Sequence, residues 1–167
     1  MDDIADRAGV SKPVLYQHFP GKLELYLALL DESTGSLVDT MRDALRSNPD
    51  PKQRVAATFG AYFEYVGGEG QAYRLVFESD LSNETAVRDR LGRVQRECAA
   101  MVSQTIREDA GLSDDEAQLL SVGMVGMAQV TARYWLSTRD HIPREAAEQL
   151  VARLAWRGIS GFPRSEH

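Results

Sequence analysis

Ser11, Lys12, Pro13, Val14, Tyr16, Gln17 and His18 crowd into one short stretch of the chain. If that stretch is a helix opened by Ser11, its apolar residues Leu15 and Phe19 lie on one side with Val10. Ser11, Lys12, Pro13, Val14, Gln17 and His18 are then left free on the other. These are short or polar groups able to reach base edges or phosphates. Upstream, Ile4, Ala5, Ala8 and Gly9 supply what a steep crossing of two short helices requires: a small residue, Ala5, where backbones touch, and Gly9 in a turn that needs positive φ. Ile4, Ala8, Val10, Leu15 and Phe19 are the expected apolar seam. An ordinary helical hairpin satisfies the same spacing.

Other chemistries find little support. His18, His141 and His167 are scattered, no His-Glu-x-x-His pair or Gly-x-Ser-x-Gly elbow occurs, and Cys98 sits within an apolar helical stripe with no histidine nearby in sequence. Gly67-Gly68-Glu69-Gly70 follows a helical pattern instead of a strand and lacks the Lys-Ser/Thr ending of a phosphate loop, so it reads as a helix–helix turn. No catalysis, metal site or cofactor is expected. One cysteine also precludes an internal disulfide.

The chain has 167 residues, 43% hydrophobic and 26% charged, with a net charge of -6. Those proportions belong to a folded globular protein, and the acidic balance excludes a protein that coats nucleic acid indiscriminately. The acid is unevenly spread. In residues 1–22, Asp2, Asp3 and Asp6 are balanced by Arg7, Lys12 and Lys22, so the excess lies downstream. Met1-Asp2-Asp3 opens no signal peptide and no stretch approaches the roughly 18 uncharged residues of a membrane span, so a cytoplasmic location is expected.

The elements that must position the early residues all show a 3.6-residue period, and the chain reads as all-α. A long helix starts at Gly21-Lys22 and ends near Ser47. Asn48-Pro49-Asp50-Pro51 is a turn with an N-cap aspartate and a proline at the first helical position. The helix it opens carries Val55, Phe59, Tyr62, Phe63 and Val66 as one stripe. A short helix is expected over about 71–79. Ser82 or Asn83 is the expected cap of the next, whose stripe of Val87, Leu91, Val94, Cys98, Met101, Val102 and Thr105 ends at Gly111. Ser113-Asp114-Asp115-Glu116 has the form of a capping box. Pro143 lies in the first turn of the final helix, which is expected to end near Gly161.

Two helices are apolar over more than one face. Residues 119–130 carry no charge, and residues 146–159 offer Leu150, Leu154 and Trp156 among others. Such helices either pair with their copies in a second chain, with Gly123, Gly126 and Gly158 permitting close approach, or form the centre of a monomer. Gly123, Gly126, Met127, Leu150, Leu154 and Trp156 are the residues of the first alternative.

Leu15-Tyr16-Gln17-His18-Phe19-Pro20-Gly21-Lys22-Leu23-Glu24-Leu25, preceded by Ile4-Ala5 and Ala8-Gly9-Val10-Ser11, closely resembles the signature of the TetR family of transcriptional regulators. The match spans about the first 30 residues; beyond them the resemblance is to a variable helical body. It implies a helix-turn-helix over residues 1–30 and a regulatory, ligand-binding and dimerisation domain over 31–167. It further implies a homodimer bound to a double-stranded DNA operator, usually as a repressor. In the family the positions of Lys12, Pro13, Val14 and Gln17 face the major groove, and those of Ser11, Tyr16, His18 and Lys22 bind the phosphate backbone. Gln17 suits adenine and Lys12 suits guanine. Members normally carry another helix before the one beginning near Asp3, so a start further upstream is expected.

The resemblance also implies an effector whose binding alters the spacing of two recognition helices that must meet major grooves about 34–36 Å apart. Aromatic and methionine side chains spread over several helices suit a small, largely apolar ligand. The candidates are Phe59, Tyr62, Phe63, Tyr73, Phe77, Met101, Met127, Tyr134 and Trp135, although for any one of them ordinary core is the more usual role. The alternative function is a helical dimeric protein- or ligand-binding module without DNA binding.

Overall fold

The computed structural model describes residues 1–68, 80–138 and 141–159. Among these, seven α-helices and one 3-10 turn make up the regular structure: α1 (Asp2–Ala8), α2 (Lys12–His18), α3 (Lys22–Arg46), α4 (Pro51–Gly67), a 3-10 turn (Asp80–Asn83), α5 (Thr85–Ala110), α6 (Asp114–Ser137) and α7 (Arg144–Ile159).

Most boundaries follow from local chemistry. The Lys52 N–H donates to the Asp50 carboxylate at 3.0 Å, and Pro51 at the first helical position lacks the N–H that would otherwise be orphaned. Ser113 and Glu116 cap each other reciprocally at the start of α6. Gly111 ends α5 at φ 64°, a left-handed conformation that glycine adopts without Cβ strain. The expected cap at Ser82 or Asn83 is not the observed one. Those residues lie in the 3-10 turn, and Glu84 stands at the N-cap of α5 without a side-chain capping bond. The expected helix over 71–79 and the end of α7 beyond Ile159 lie outside the described residues.

The 25-residue α3 is the axis of the molecule, roughly 37 Å long at 1.5 Å per residue. Along it three clusters succeed one another. Leu25 packs with Ala5 and Leu15 of the first two helices. Tyr26 and Leu30 pack with Val87, and Leu81 and Leu91 adjoin them. Val38 joins Cys98, Ala99, Val102 and Ile106 of α5. Asp31 meets Arg90 at 2.9 Å and Arg42 meets Glu97 at 3.5 Å, so the pairings advance together and α3 and α5 run parallel.

The main core lies further round the axis. Leu37 and Met41 of α3 meet Phe59, Tyr62, Phe63 and Val66 of α4, Ala128, Ala132 and Trp135 of α6, and Ala147, Ala152 and Ala155 of α7. The α4 stripe is thus buried as its period requires from Phe59 to Val66, with Val55 half-buried against the same core. Trp135 is fixed there, its Nε1–H donating to the Ile142 carbonyl at 2.8 Å and its ring 5.6 Å from that of Phe63.

The helix α6 is patterned against the usual sense. Its buried residues are mostly small: Ala117, Ser121, Val125, Ala128 and Ala132, with Trp135 the exception. Its bulky Leu119, Val122, Val130 and Tyr134 are exposed, as are Leu150 and Leu154 of α7. No described helix is long and apolar enough to cross a membrane.

Candidate nucleic-acid interface

α1 and α2 are joined by the turn Gly9-Val10-Ser11. Gly9 takes φ 68°, closing α1, and the Val10 N–H donates to the Ala5 carbonyl at 3.1 Å. Ser11 is extended and α2 begins at Lys12, with Pro13 accepted because the first turn of a helix needs no N–H there. Ala5 is 2% exposed, the small residue at the crossing.

The seam is narrower than the sequence suggests. Ala5, Leu15 and Leu25 form it, flanked by Met1 and Phe19, whereas Ile4, Ala8 and Val10 are exposed. Seven-residue helices offer few inward positions, and Leu25, reaching in from α3, takes the place that those residues were expected to fill. The result fixes the orientation of α2 relative to the long axis.

Ser11, Lys12, Pro13, Val14, Tyr16, Gln17 and His18 are all exposed, and Lys22 is exposed at the first position of α3. Each of the expected residues is therefore open to solvent, those of α2 spread around it on every side but that of Leu15. Tyr16 is 42% exposed, so much of its side chain is accessible at the surface. Sequence reasoning missed Asp2. The Lys12 ammonium donates to its carboxylate at 2.8 Å across the α1–α2 turn. The bond holds the Asp2 carboxyl below its usual range and the Lys12 ammonium above its own, so both stay charged. Ten residues separate the two, beyond any helical spacing rule, and only the turn geometry brings them together.

The body was expected to hold a pocket. Phe59, Tyr62, Phe63 and Trp135 are buried in the main core, with Met101 and Met127 packed against it. The space beside Phe59 is about 20 Å³, the scale of a single water. A larger apolar cavity of about 340 Å³ lies between α4, α6 and α7, floored by Phe63 and Trp135 and rimmed by Val130, Tyr134 and Leu150. Tyr134, 67% exposed, belongs to that rim and not to an interior pocket. Tyr73 and Phe77 lie outside the described residues. Of the residues suggested for dimerisation, Gly123, Leu150 and Leu154 are exposed, and Gly126, Met127 and Trp156 half-buried. Among the described residues no group of His, Cys, Asp or Glu could hold a metal ion.

Residues 1–29 match the family model for bacterial regulatory proteins of the tetR family, and residues 40–162 match that for the tetracyclin repressor-like C-terminal domain. The chain belongs to the TetR family. It is a DNA-binding transcriptional regulator and not an enzyme. A relative from Mycolicibacterium smegmatis, the HTH-type transcriptional activator FasR, is 42% identical over 163 residues, spanning 98% of this TetR-family chain and 74% of its own. An uncharacterized HTH-type transcriptional regulator of Mycobacterium tuberculosis is 28% identical over 167 residues, 97% of this chain and 69% of that one. Among solved structures, a transcriptional regulator from Pseudomonas aeruginosa PAO1 superposes with TM-score 0.76 at 20% identity, covering 95% of this chain and 79% of that one. A TetR-like regulator from Rhodococcus sp. RHA1 gives 0.73 at 21% identity, covering 96% and 84%. These two carry the all-α fold.

Proposed function

We propose that this TetR-family regulator works in the cytoplasm as a homodimer that reads an operator through α2 and is controlled by a small apolar effector. The observation that carries the reading is the open face of α2, with Lys12, Gln17 and Tyr16 outward and Leu15 locked through Leu25 to α3. On this reading residues 1–30 are the reader and 31–167 the sensing and dimerising body. Lys12, Pro13, Val14 and Gln17 meet base edges, while Ser11, Tyr16, His18 and Lys22 hold phosphates.

The homodimer is supported by the exposed apolar side chains on α6 and α7. Leu119, Val122, Val130 and Tyr134 recur at helical spacing on one face of α6, beside Leu150 and Leu154 of α7. A Cβ at Gly123, Gly126 or Gly158 would meet nothing within 4 Å inside the protomer, which leaves room for a close helix approach from outside. The effector reading is supported by the 340 Å³ apolar cavity, large enough for a small hydrocarbon ligand and placed where a second copy would adjoin it. A ligand there would act on DNA by favouring one spacing of the two α2 helices.

Repression is the family's usual mode. Activation is a second reading, favoured by the description of the 42% identical relative as an activator. The decisive experiment is selection of genomic fragments by the purified protein, followed by binding to the enriched fragment in a salt series and transcription from it in a reconstituted system. One imperfect palindrome bound steeply against salt is expected. The direction of the transcriptional change decides the mode, and enrichment of no fragment would overturn operator reading by this chain.

A further inference from the structure

The reader holds the bases Arg7, Lys12 and Lys22, and among the described residues Lys12 is ion-paired, 2.8 Å from Asp2. Its partner is Asp2, although Asp3 lies next to it in sequence. Both side chains of the pair stay more than half exposed, at 57% for Lys12 and 66% for Asp2. Exposed pairs of this kind contribute little to stability, so the ion pair is poorly explained as a brace for the fold. Its consequence lies in what Lys12 can do next.

Non-specific binding to a duplex depends on how many cations the protein can offer to phosphates, each displacing condensed counterions. A lysine already held by a carboxylate offers less. At the operator the same lysine can exchange the carboxylate for the paired acceptors of a guanine edge, a contact worth about 1–3 kcal/mol in discrimination. We propose that Asp2 is a specificity-determining residue of DNA recognition, withholding the Lys12 ammonium from indiscriminate phosphate contact and releasing it where a base edge competes. The proposal rests on the reading that Lys12 faces the groove. Asp2 acts through Lys12 and touches no DNA itself.

The test compares Asp2→Asn, Asp3→Asn, Lys12→Ala and the double variant Asp2→Asn/Lys12→Ala in the full chain. Binding to the selected operator and to an unrelated duplex of the same length is followed by fluorescence anisotropy at about 50–200 mM salt. Thermal melts by circular dichroism check that each variant folds, which the exposure of all three positions favours. Asp2→Asn is expected to tighten binding to the unrelated duplex about fivefold and to steepen its log–log salt slope by about 0.9. Operator binding should change less, so the specificity ratio falls. Asp3→Asn, with the same change in net charge, should give a smaller effect.

In the Lys12→Ala background, Asp2→Asn should have no effect beyond that of Asp3→Asn. Equal effects of Asp2→Asn and Asp3→Asn, or persistence of the Asp2→Asn effect without Lys12, would reduce it to general charge repulsion and overturn the proposal. A loss of operator affinity in Asp2→Asn without change on the unrelated duplex would overturn it too, since Asp2 would then be aiming Lys12 at the bases. If Lys12→Ala alters neither duplex, the reading of Lys12 in the groove fails and the proposal fails with it. If Lys12→Ala weakens operator binding while Asp2→Asn is silent, only the role of Asp2 is lost.

Discussion

The hydroxyls of Ser33 and Tyr65 share a hydrogen bond at 2.6 Å that joins the middle of α3 to the end of α4. It lies partly buried, between the helix that carries the reader and the main core. Tyr65→Phe keeps the ring and leaves the Ser33 hydroxyl without this partner. A loss of about 1 kcal/mol is expected in urea unfolding, with Ser33→Ala/Tyr65→Phe costing less than the two single changes summed.

Alkaline pH tests the interior. Burial pushes the Cys98 thiol up to about 11 from 9.0, and burial likewise raises Tyr65. A group with a raised folded pKa contributes stability that is complete below the unfolded value and is lost as pH rises through the folded one. Stability should therefore hold to about pH 9 and fall on the order of 2 kcal/mol by pH 11 from Cys98 alone. Cys98→Ala should flatten that part of the profile in thermal melts across this range. The thiol should also react slowly with disulfide reagents at neutral pH.

Two glycines of α4 separate by sign. A Cβ on Gly67 would sit 2.6 Å from Trp135 Cη2, and Trp135 is held by its bond to Ile142. Gly67→Ala should destabilise by about 1–3 kcal/mol through overpacking. At Gly60 the nearest atom, on Glu148, is 3.7 Å away. Gly60→Ala should be neutral or stabilising by up to about 1 kcal/mol, the gain in helix propensity. Opposite shifts in Tm are the expected readout.

Association is tested at Leu150 and Leu154, which are 52% and 62% exposed in the protomer. Leu154→Glu, alone or with Leu150→Glu, should leave the helical circular dichroism intact and produce monomers in sedimentation velocity. A dimer that persists unchanged in the double variant would place the contact elsewhere.

On DNA, the two classes of contact predict different signatures. Gln17→Ala should cost about 1–3 kcal/mol at the operator and relax preference at one base pair. Lys22→Ala should weaken all duplexes alike and lower the salt slope by about 1. Anisotropy titrations on the operator and its single-base variants separate the two.

What the sequence made legible was local. Pro51 after Asp50, the Ser113–Glu116 box, Gly9 and Gly111 mark their boundaries because each acts within a turn of itself. The open face of α2 was equally readable, since its seven residues have one inward position, Leu15. Three things were not readable. Asp2 reaches Lys12 through a turn whose geometry no periodicity encodes. Leu25 closes the seam from a different helix, displacing Ile4 and Val10 from that role. Aromatic residues fill cores and line pockets with the same side chains, so Phe59 and Tyr62 could not be sorted from Tyr134 until the phase of α6 was known. That phase buries Ala128, Ala132 and Trp135 and turns Val130 and Tyr134 outward.

On the homodimer reading, the inverted patterning of α6, small side chains inward and large ones outward, would tie the protein's lifetime to its abundance. If Leu119, Val122, Val130 and Tyr134 leave water only when a second copy arrives, association stabilises the folded state by mass action. The melting temperature then climbs with concentration, and dilution exposes each copy to unfolding and proteolysis. On that reading a cell that made too few copies would lose them faster, and the working population would have a lower threshold set by one face of one helix.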